Sequence, residues 1–149
     1  MYGNISVRLV HNNTNRLYAV DINYELYKVV HNFKVKISVE VQLKESHNRI
    51  HLVNQTLDAC TILHHGATNW ALKVLMGDLI NYPNIPKDCP INPGHYFIKN
   101  FTTDVKLIPM KVIPESKTFA NFEMFTVINK RSITIAIIKV DAELKYNEL

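Results

Sequence analysis

The strongest constraint on the fold is a run of strict period-two alternation between residues 33 and 44. Its odd positions are all apolar, and they are Phe33, Val35, Ile37, Val39, Val41 and Leu43. Its even positions, from Lys34 to Lys44, are polar or charged. Successive side chains of a strand point to opposite faces, so this run predicts a strand with one buried and one solvated face. That division is typical of an antiparallel sheet.

Further alternating runs predict that most of the chain is β. Residues 18–26 alternate in the same way, and since only a short link with His31 and Asn32 follows, we expect the two runs to form a hairpin. Ile5, Val7 and Leu9 predict an N-terminal strand. Other strands are predicted at 50–53, 96–101, 105–108, 118–128 and 131–144. In the last of these the apolar positions change from odd to even, which predicts a β-bulge near Ile137.

The middle of the chain changes from period two to a helical pattern. Thr68 can cap a helix predicted over residues 69–80, whose apolar stripe includes Leu72, Leu75, Met76 and Leu79. Residues 81–94 contain four prolines and predict an irregular loop. Strands, one helix and strands again indicate a single domain over residues 1–149. We expect a mainly β fold, an antiparallel β-sandwich or β-cup with one helix packed on it.

Composition and motifs exclude several classes of function. The 149 residues carry a net charge of +4, and their basic residues are scattered, so we expect no nucleic-acid partner. No apolar run approaches the roughly 20 residues of a transmembrane helix. The sequence has no Gly-rich phosphate loop, no G-x-S-x-G and no H-E-x-x-H. We therefore expect neither enzymatic activity nor a cofactor.

Cys60 and Cys89 are the only cysteines, and four interpretations are open. Cys60 could be a nucleophile with His64 or His65 as its base. Both cysteines could ligate zinc with nearby histidines, although the spacing fits no common zinc pattern, and we expect no metal. They could also be two buried free thiols. A disulfide explains more, because it would tie the start of the helical segment to the proline loop. Asp58 is expected to cap the short helical turn that holds Cys60.

Four glycosylation sequons bear on the compartment. They begin at Asn4, Asn12, Asn54 and Asn100, a modest excess over chance, and Asn4 falls in a predicted strand. We expect glycosylation at Asn12, Asn54 and Asn100. Together with a cysteine pair, the sequons favour an extracellular, secreted protein. Residues 1–10 do not have the pattern of a signal peptide, so we expect one upstream of this chain.

Two spaced motifs carry a resemblance to a known family. They are Asp58-x-Cys60 and Cys89-Pro90-x₃-Gly94-x-Tyr96. In this order and spacing, residues 17–145 resemble a family of insect secreted proteins of unknown function that includes the CheA and CheB chemosensory proteins. The resemblance implies a fold similar to the ML lipid-recognition domain and the ganglioside-activator protein. It also implies an apolar cavity without catalytic machinery.

These observations favour a secreted, non-enzymatic protein that binds a small hydrophobic molecule, a lipid or hydrocarbon signal in chemosensation. A membrane receptor is a further candidate partner. The predicted lining of the cavity is Phe33, Val35, Ile37, Trp70, Leu75, Phe122, Met124 and Phe125. The alternative is a secreted protein–protein interaction module, in which the same side chains pack a solid core and no cavity exists.

Overall fold

Seven strands and one short helix form the secondary structure of residues 1–12, 17–66, 82–101 and 115–144, the part of the chain that the computed structural model describes. In chain order they are β1 (Gly3–Asn12), β2 (Leu17–Leu26), β3 (Lys34–Leu43), β4 (Arg49–Asp58), α1 (Ala59–His65), β5 (Gly94–Phe101), β6 (Ser116–Ile128) and β7 (Arg131–Leu144). The helix predicted over 69–80 and the strand predicted over 105–108 lie outside the described residues.

The strands form two antiparallel sheets. One has the order β1-β2-β5 and the other the order β4-β3-β6-β7. The mainly β class predicted from the sequence, an antiparallel sandwich with one helix, is therefore confirmed. β1 contacts β7 at one side of the sandwich. At the other side, α1 follows β4 and a proline-rich loop precedes β5.

The core centres on β3, and its alternating pattern is confirmed. Ile37 is 4% exposed and Val39 is also buried. Around them pack residues from both neighbouring strands and from α1, namely Val35, Val53, Leu57, Ile62, Ala120 and Phe122. Lys34 and Lys36, at the alternate positions, are exposed. We call the side of this sheet that carries Ile37 its inner face.

The predicted hairpin between residues 18–26 and 33–44 is wrong. β2 pairs with β1 and β5, whereas β3 pairs with β4 and β6. The link between them crosses from one sheet to the other, and Val30 forms an isolated bridge with Ile91 on the way. The hydroxyl of Thr126 donates a hydrogen bond of 2.7 Å to the carbonyl of Asn32 and fastens the link to β6. Alternation fixes which face is buried but not which strand is the neighbour, so the pattern alone could not exclude this crossing.

The predicted β-bulge exists but lies before Ile137. Met124 pairs with Ala136 and Phe125 with Thr134, so Ile135 is the extra residue of β7. Ile137 points away from the inner face and is 47% exposed. The prediction placed Ile137 with the inward-facing isoleucines because alternation reads equally well with the slip two residues later. β4 is also longer than the predicted strand at 50–53. Its additional residues are mostly polar and do not alternate with apolar ones, so the sequence pattern does not reveal them.

The hydroxyl of Tyr24 links the two sheets at the side where β1 contacts β7. It donates a hydrogen bond of 3.2 Å to the carbonyl of Ile135. Burial, and secondarily the neighbouring Tyr27, raise the pKa of Tyr24 above its ordinary value. The neutral hydroxyl is therefore favoured in the folded protein. Its contribution to stability should be fully present below about pH 10 and should fall as the pH rises toward the folded-state pKa.

Replacing Tyr24 by phenylalanine should lower the free energy of unfolding by about 1 kcal/mol at pH 7, because the hydrogen bond to Ile135 is lost. Chemical denaturation at pH 7 and pH 10.5 measures the effect. The variant should lose less stability between the two pH values than the wild type, because phenylalanine at this partly buried position does not titrate. An equal loss in both proteins would show that Tyr24 does not couple folding to pH.

Candidate functional site

The site begins where β4 ends, at the short helix α1. Asp58 is the N-cap of α1, and its Oδ1 accepts a hydrogen bond of 3.2 Å from the backbone N–H of Thr61. The predicted capping role of Asp58 is thus confirmed. At the other end, Gly66 has a φ of 81°, and its N–H donates to the carbonyl of Ile62 at 2.7 Å. These two caps restrict the helix to two turns and place Cys60 in the first of them.

Cys60 and Cys89 are joined by a disulfide, as the sequence favoured. Their Cα atoms are 5.6 Å apart. A disulfide sulfur is neither a thiolate nucleophile nor a zinc ligand, so the thiol-enzyme, zinc and free-thiol interpretations of these two cysteines are wrong. Because Cys60 follows β4 and Cys89 precedes β5, the bond connects segments that belong to different sheets. It therefore cross-links the side of the sandwich away from the β1–β7 contact.

The proline loop is held to its surroundings at further points beside the disulfide. Nδ1 of His64 lies 2.5 Å from Oδ1 of Asp88, and both side chains are more than half exposed. A polar contact between side chains this exposed contributes little to stability. Val30 and Ile91 exchange two backbone hydrogen bonds, of 3.0 and 2.8 Å. The Cys89–Pro90 peptide bond is cis. The loop is thus anchored to α1 and to the link between β2 and β3.

Removing the N-cap should destabilise α1, the helix that carries Cys60 and contacts the proline loop. Asp58→Ala should lower the free energy of unfolding by about 1 kcal/mol, because the N–H of Thr61 loses its acceptor. Asp58→Asn should retain most of the stability, since asparagine is also a good N-cap. Urea denaturation compares the three proteins. Equal losses in both variants would show that capping is not the reason for the effect.

Five of the predicted lining residues lie on or beside the inner face of the four-stranded sheet. Val35 pairs with Met124, and Ile37 pairs with Phe122, so these four side chains form one continuous apolar surface. Phe33 immediately precedes β3, is half-buried, and accepts a hydrogen bond of 3.1 Å from the N–H of Ala59. The structure therefore brings together the part of the predicted set that comes from β3 and β6.

One further predicted lining residue, Phe125, is not brought to this surface. Phe125 pairs with Lys34 and lies on the opposite, outer face of the sheet, although it is half-buried there. Trp70 and Leu75 lie outside the described residues. That these eight residues line a cavity remains a prediction.

The opposing wall comes from the three-stranded sheet and was not predicted. Tyr24 pairs with Ile5 and Tyr96, and Ile22 pairs with Val7 and Ile98. The hydrogen bond from Tyr24 to Ile135 shows that this face looks toward β7. The alternation of Ile5, Val7 and Leu9 carried a signal for this wall. It became usable only once β1 and β2 were known to lie opposite the sheet of β3.

The apolar faces of the two sheets are not completely buried against each other. Phe122 and Met124 are partly and not fully buried, although β6 is flanked on both sides by strands. On the facing sheet Val7 and Leu9 are 46% and 65% exposed. Among the described residues, no large side chain is fully buried. These four side chains thus keep part of their apolar surface exposed, whereas Ile37 and Val39 at the centre of the inner face are buried.

Two surface grooves lie elsewhere. One, of about 340 Å³, runs between the proline loop and β5 and includes His95 and Tyr96. The other, of about 320 Å³, lies between the link after β2 and the hairpin of β6 and β7. Neither groove includes any of the predicted lining residues. Neither groove was predicted from the sequence. The first lies within residues 83–96, where no periodic pattern exists, and the second is built from segments that are distant in the chain.

The sequon asparagines are in different settings. Asn54 is exposed on the edge strand β4, opposite Ser38. Asn100 is exposed with a φ of 58°, and its N–H donates to Oδ1 of Asp21 at 2.8 Å. Asn12 is the last residue of β1. Glycosylation at these positions remains a prediction. None of the helices in the described residues is long and apolar enough to cross a membrane.

Comparison with known proteins extends the motif evidence. Residues 32–117, more than half of the chain, match a family described as protein of unknown function, DUF1091. No curated protein matches the sequence. The match includes β3, β4, α1, both cysteines and β5, which are the elements that build the disulfide-linked side of the sandwich. The chain therefore belongs to the DUF1091 family of proteins of unknown function.

Proposed function

We propose that this protein is a secreted, non-enzymatic carrier that holds a small hydrophobic molecule, a lipid or hydrocarbon, between its two sheets. The observation that carries the proposal is the partial exposure of Phe122 and Met124 on the inner face of a central strand. Side chains in that position are ordinarily packed to the density of an organic crystal. Their exposure supports a space between the sheets rather than a solid core.

The chemistry of the space suits an apolar ligand. Val35, Ile37, Phe122 and Met124 offer aliphatic, aromatic and thioether surface on one wall. Methionine and phenylalanine adapt to irregular shapes, and ligand pockets are lined mainly by such residues. Removing apolar surface from water contributes about 25 cal/mol per Å². The hydroxyl of Tyr24, which donates to the carbonyl of Ile135, is a polar group on the facing sheet that could orient a ligand headgroup.

Secretion is proposed from the disulfide and the sequons. Disulfides form and persist in oxidising compartments, and Cys60 and Cys89 are joined here. The exposed position of Asn54 makes it accessible to a glycosyl group. The resemblance of the D-x-C and C-P-x₃-G-x-Y motifs to the CheA and CheB proteins supports a role in chemosensation. It also supports a relationship to ML lipid-recognition domains. In that role the loaded carrier would deliver its ligand to a membrane receptor.

A protein–protein interaction module is the second candidate. The observation that favours it is the edge strand β4, where Ile50 and Leu52 are 49% and 62% exposed. An edge strand offers unpaired backbone groups to another chain. In this case the partner would bind the outside of the molecule, and the space between the sheets would have no role.

Ligand binding is tested with delipidated protein and a mixture of fatty acids, hydrocarbons and sterols. The carrier should extract at least one class, identified by mass spectrometry of the repurified protein. Phe122→Trp, which fills the proposed space, should reduce the uptake about tenfold. Phe125→Trp is the matched control, because the same substitution on the outer face leaves the space open.

The outcomes separate the two candidates. Uptake that is impaired by Phe122→Trp and retained by Phe125→Trp supports the carrier. Failure of the wild type to extract any of the compounds would sink the carrier proposal. Equal impairment by both variants would show that the binding site is not between the sheets.

A further inference from the structure

One end of the molecule exposes apolar side chains from two segments that are distant in sequence. The segments are the link at residues 27–32 and the hairpin at residues 126–131, and we call them together the tip. The exposed fractions of Tyr27, Val29, Val127 and Ile128 are 50%, 39%, 47% and 43%. Between the two segments lies the groove of about 320 Å³, which Tyr2 closes on one side.

The tip is held in position by the frame of the sandwich. Thr126 donates to the carbonyl of Asn32 at 2.7 Å and joins the hairpin to the link. The link is fixed in turn by the bridge between Val30 and Ile91. The exposed aliphatic groups therefore stand on a rigid support, so little conformational entropy is lost when they bind a partner.

Cations accompany the apolar groups. Lys28, Lys130 and Arg131 are all exposed, and neither segment contains an aspartate or glutamate. Lys28 Nζ lies 5.6 Å from the centre of the Tyr2 ring. Asn129 and Lys130 have φ values of 51° and 62°, which form the two-residue turn of the hairpin directly after Ile128. Apolar and cationic side chains thus lie within a few residues of each other at the same end.

We propose that the tip docks on the surface of an anionic lipid bilayer. Aliphatic side chains would enter the boundary between headgroups and acyl chains, and the lysine and arginine side chains would contact the anionic headgroups. Charge complementarity selects this partner: a bilayer offers an apolar layer directly beneath a layer of negative charge. Long basic side chains reach the headgroups while their stems remain beside the aliphatic groups.

Docking is independent of the proposed carrier function. The tip residues do not include any of the predicted lining residues, and none of the predicted lining residues lines the groove between the two segments. A protein with a solid core would dock equally well. Variants of the tip should therefore retain whatever uptake of hydrophobic compounds the wild type has.

Sedimentation with intact vesicles tests the proposal. Vesicles of phosphatidylcholine with about 30% phosphatidylserine should bind the protein, and vesicles of pure phosphatidylcholine should not. Val127→Ser with Ile128→Ser should weaken binding at least tenfold. The control is Ile50→Ser with Leu52→Ser, an apolar pair on the edge strand β4 that is more exposed than Val127 and Ile128. This variant should bind as the wild type does.

A charge pair gives a second, independent measurement. Lys130→Gln with Arg131→Gln should weaken binding by about fivefold for each cation, and added salt should weaken binding of the wild type. Lys117→Gln with Lys139→Gln removes the same charge from exposed positions outside the tip and should have a much smaller effect.

Three results of the vesicle measurements would overturn the proposal. They are no binding to the phosphatidylserine vesicles, equal binding to neutral vesicles, and equal losses in tip and control variants. Competition by heparin without any effect of Val127→Ser and Ile128→Ser would identify a polyanion site instead and would likewise overturn it. Thermal unfolding of each variant checks that the fold is intact.

Discussion

Replacing Ile37 by alanine should lower the free energy of unfolding by about 2–5 kcal/mol. Ile37 is 4% exposed and lies at the centre of the cluster formed by β3, β4, β6 and α1. The substitution removes three buried carbon atoms and leaves a cavity, because the neighbouring strands cannot close around a smaller side chain. Chemical denaturation measures the loss. The dependence of the unfolding free energy on denaturant concentration should be the same for both proteins.

Ile50→Ala is the control for this prediction. The residue is of the same type but is 49% exposed on the edge strand, so the change should cost no more than about 0.5 kcal/mol. If Ile37→Ala lowered the free energy of unfolding as little as Ile50→Ala does, the cluster around Ile37 would not be the stabilising core of the sandwich.

Removing the disulfide is the second change with a large expected effect. The double variant Cys60→Ser with Cys89→Ser should lose about 3–4 kcal/mol on the chain-entropy account, since the bond closes a loop spanning 29 positions. For a chain of this length such a loss corresponds to a fall in Tm of about 10 °C. Replacing both cysteines avoids leaving a free thiol. Circular dichroism during heating under non-oxidising conditions measures the change.

Wild-type protein treated with a reductant provides the comparison. Reduction should add two daltons to the intact mass and lower Tm about as much as the double variant does. A variant as stable as the oxidised wild type would show that the packing of α1 and the proline loop, rather than the cross-link, holds this side of the sandwich.

Local features of the fold could be predicted because their causes are local. The alternation over 33–44 identified β3 and its buried face, since a strand has only two faces. Asp58 was identified as a cap because the N–H of Thr61 needs an acceptor three residues away. The disulfide was favoured because only two cysteines exist, and each lies next to an element that gains from being tethered.

Features that depend on distant segments could not be predicted in this way. The sequence between β2 and β3 is short enough for a hairpin, yet Val30 bridges to Ile91 and the chain changes sheets. The β-bulge was predicted near Ile137 and lies at Ile135, because the two isoleucines are equivalent in a pattern that counts only apolar residues. The decision between them comes from the partner strand β6.

The same division applies to the candidate site. Val35, Ile37, Phe122 and Met124 were assigned to two inward faces by parity, and the pairing of β3 with β6 brought them together. Phe122 and Phe125 lie on opposite faces of β6, because one occupies an even and the other an odd position. Phe125 was included in the predicted lining because it is aromatic, and not because of its position in the strand. The wall that contains Tyr24 depends on how the sheets face each other, which no local pattern encodes.

The two sides of the sandwich are held by bonds of very different strength. On the side of β4 and β5 the connection is covalent, through Cys60 and Cys89. On the side where β1 contacts β7, it includes the hydrogen bond from Tyr24 of β2 to Ile135 of β7. Thermal fluctuations should therefore part the sheets at the β1–β7 seam, with the sulfur bridge as the hinge. Backbone amides of β1 should exchange with deuterium sooner than those of β3. If the proposed carrier function is correct, a ligand would enter between the sheets at that seam.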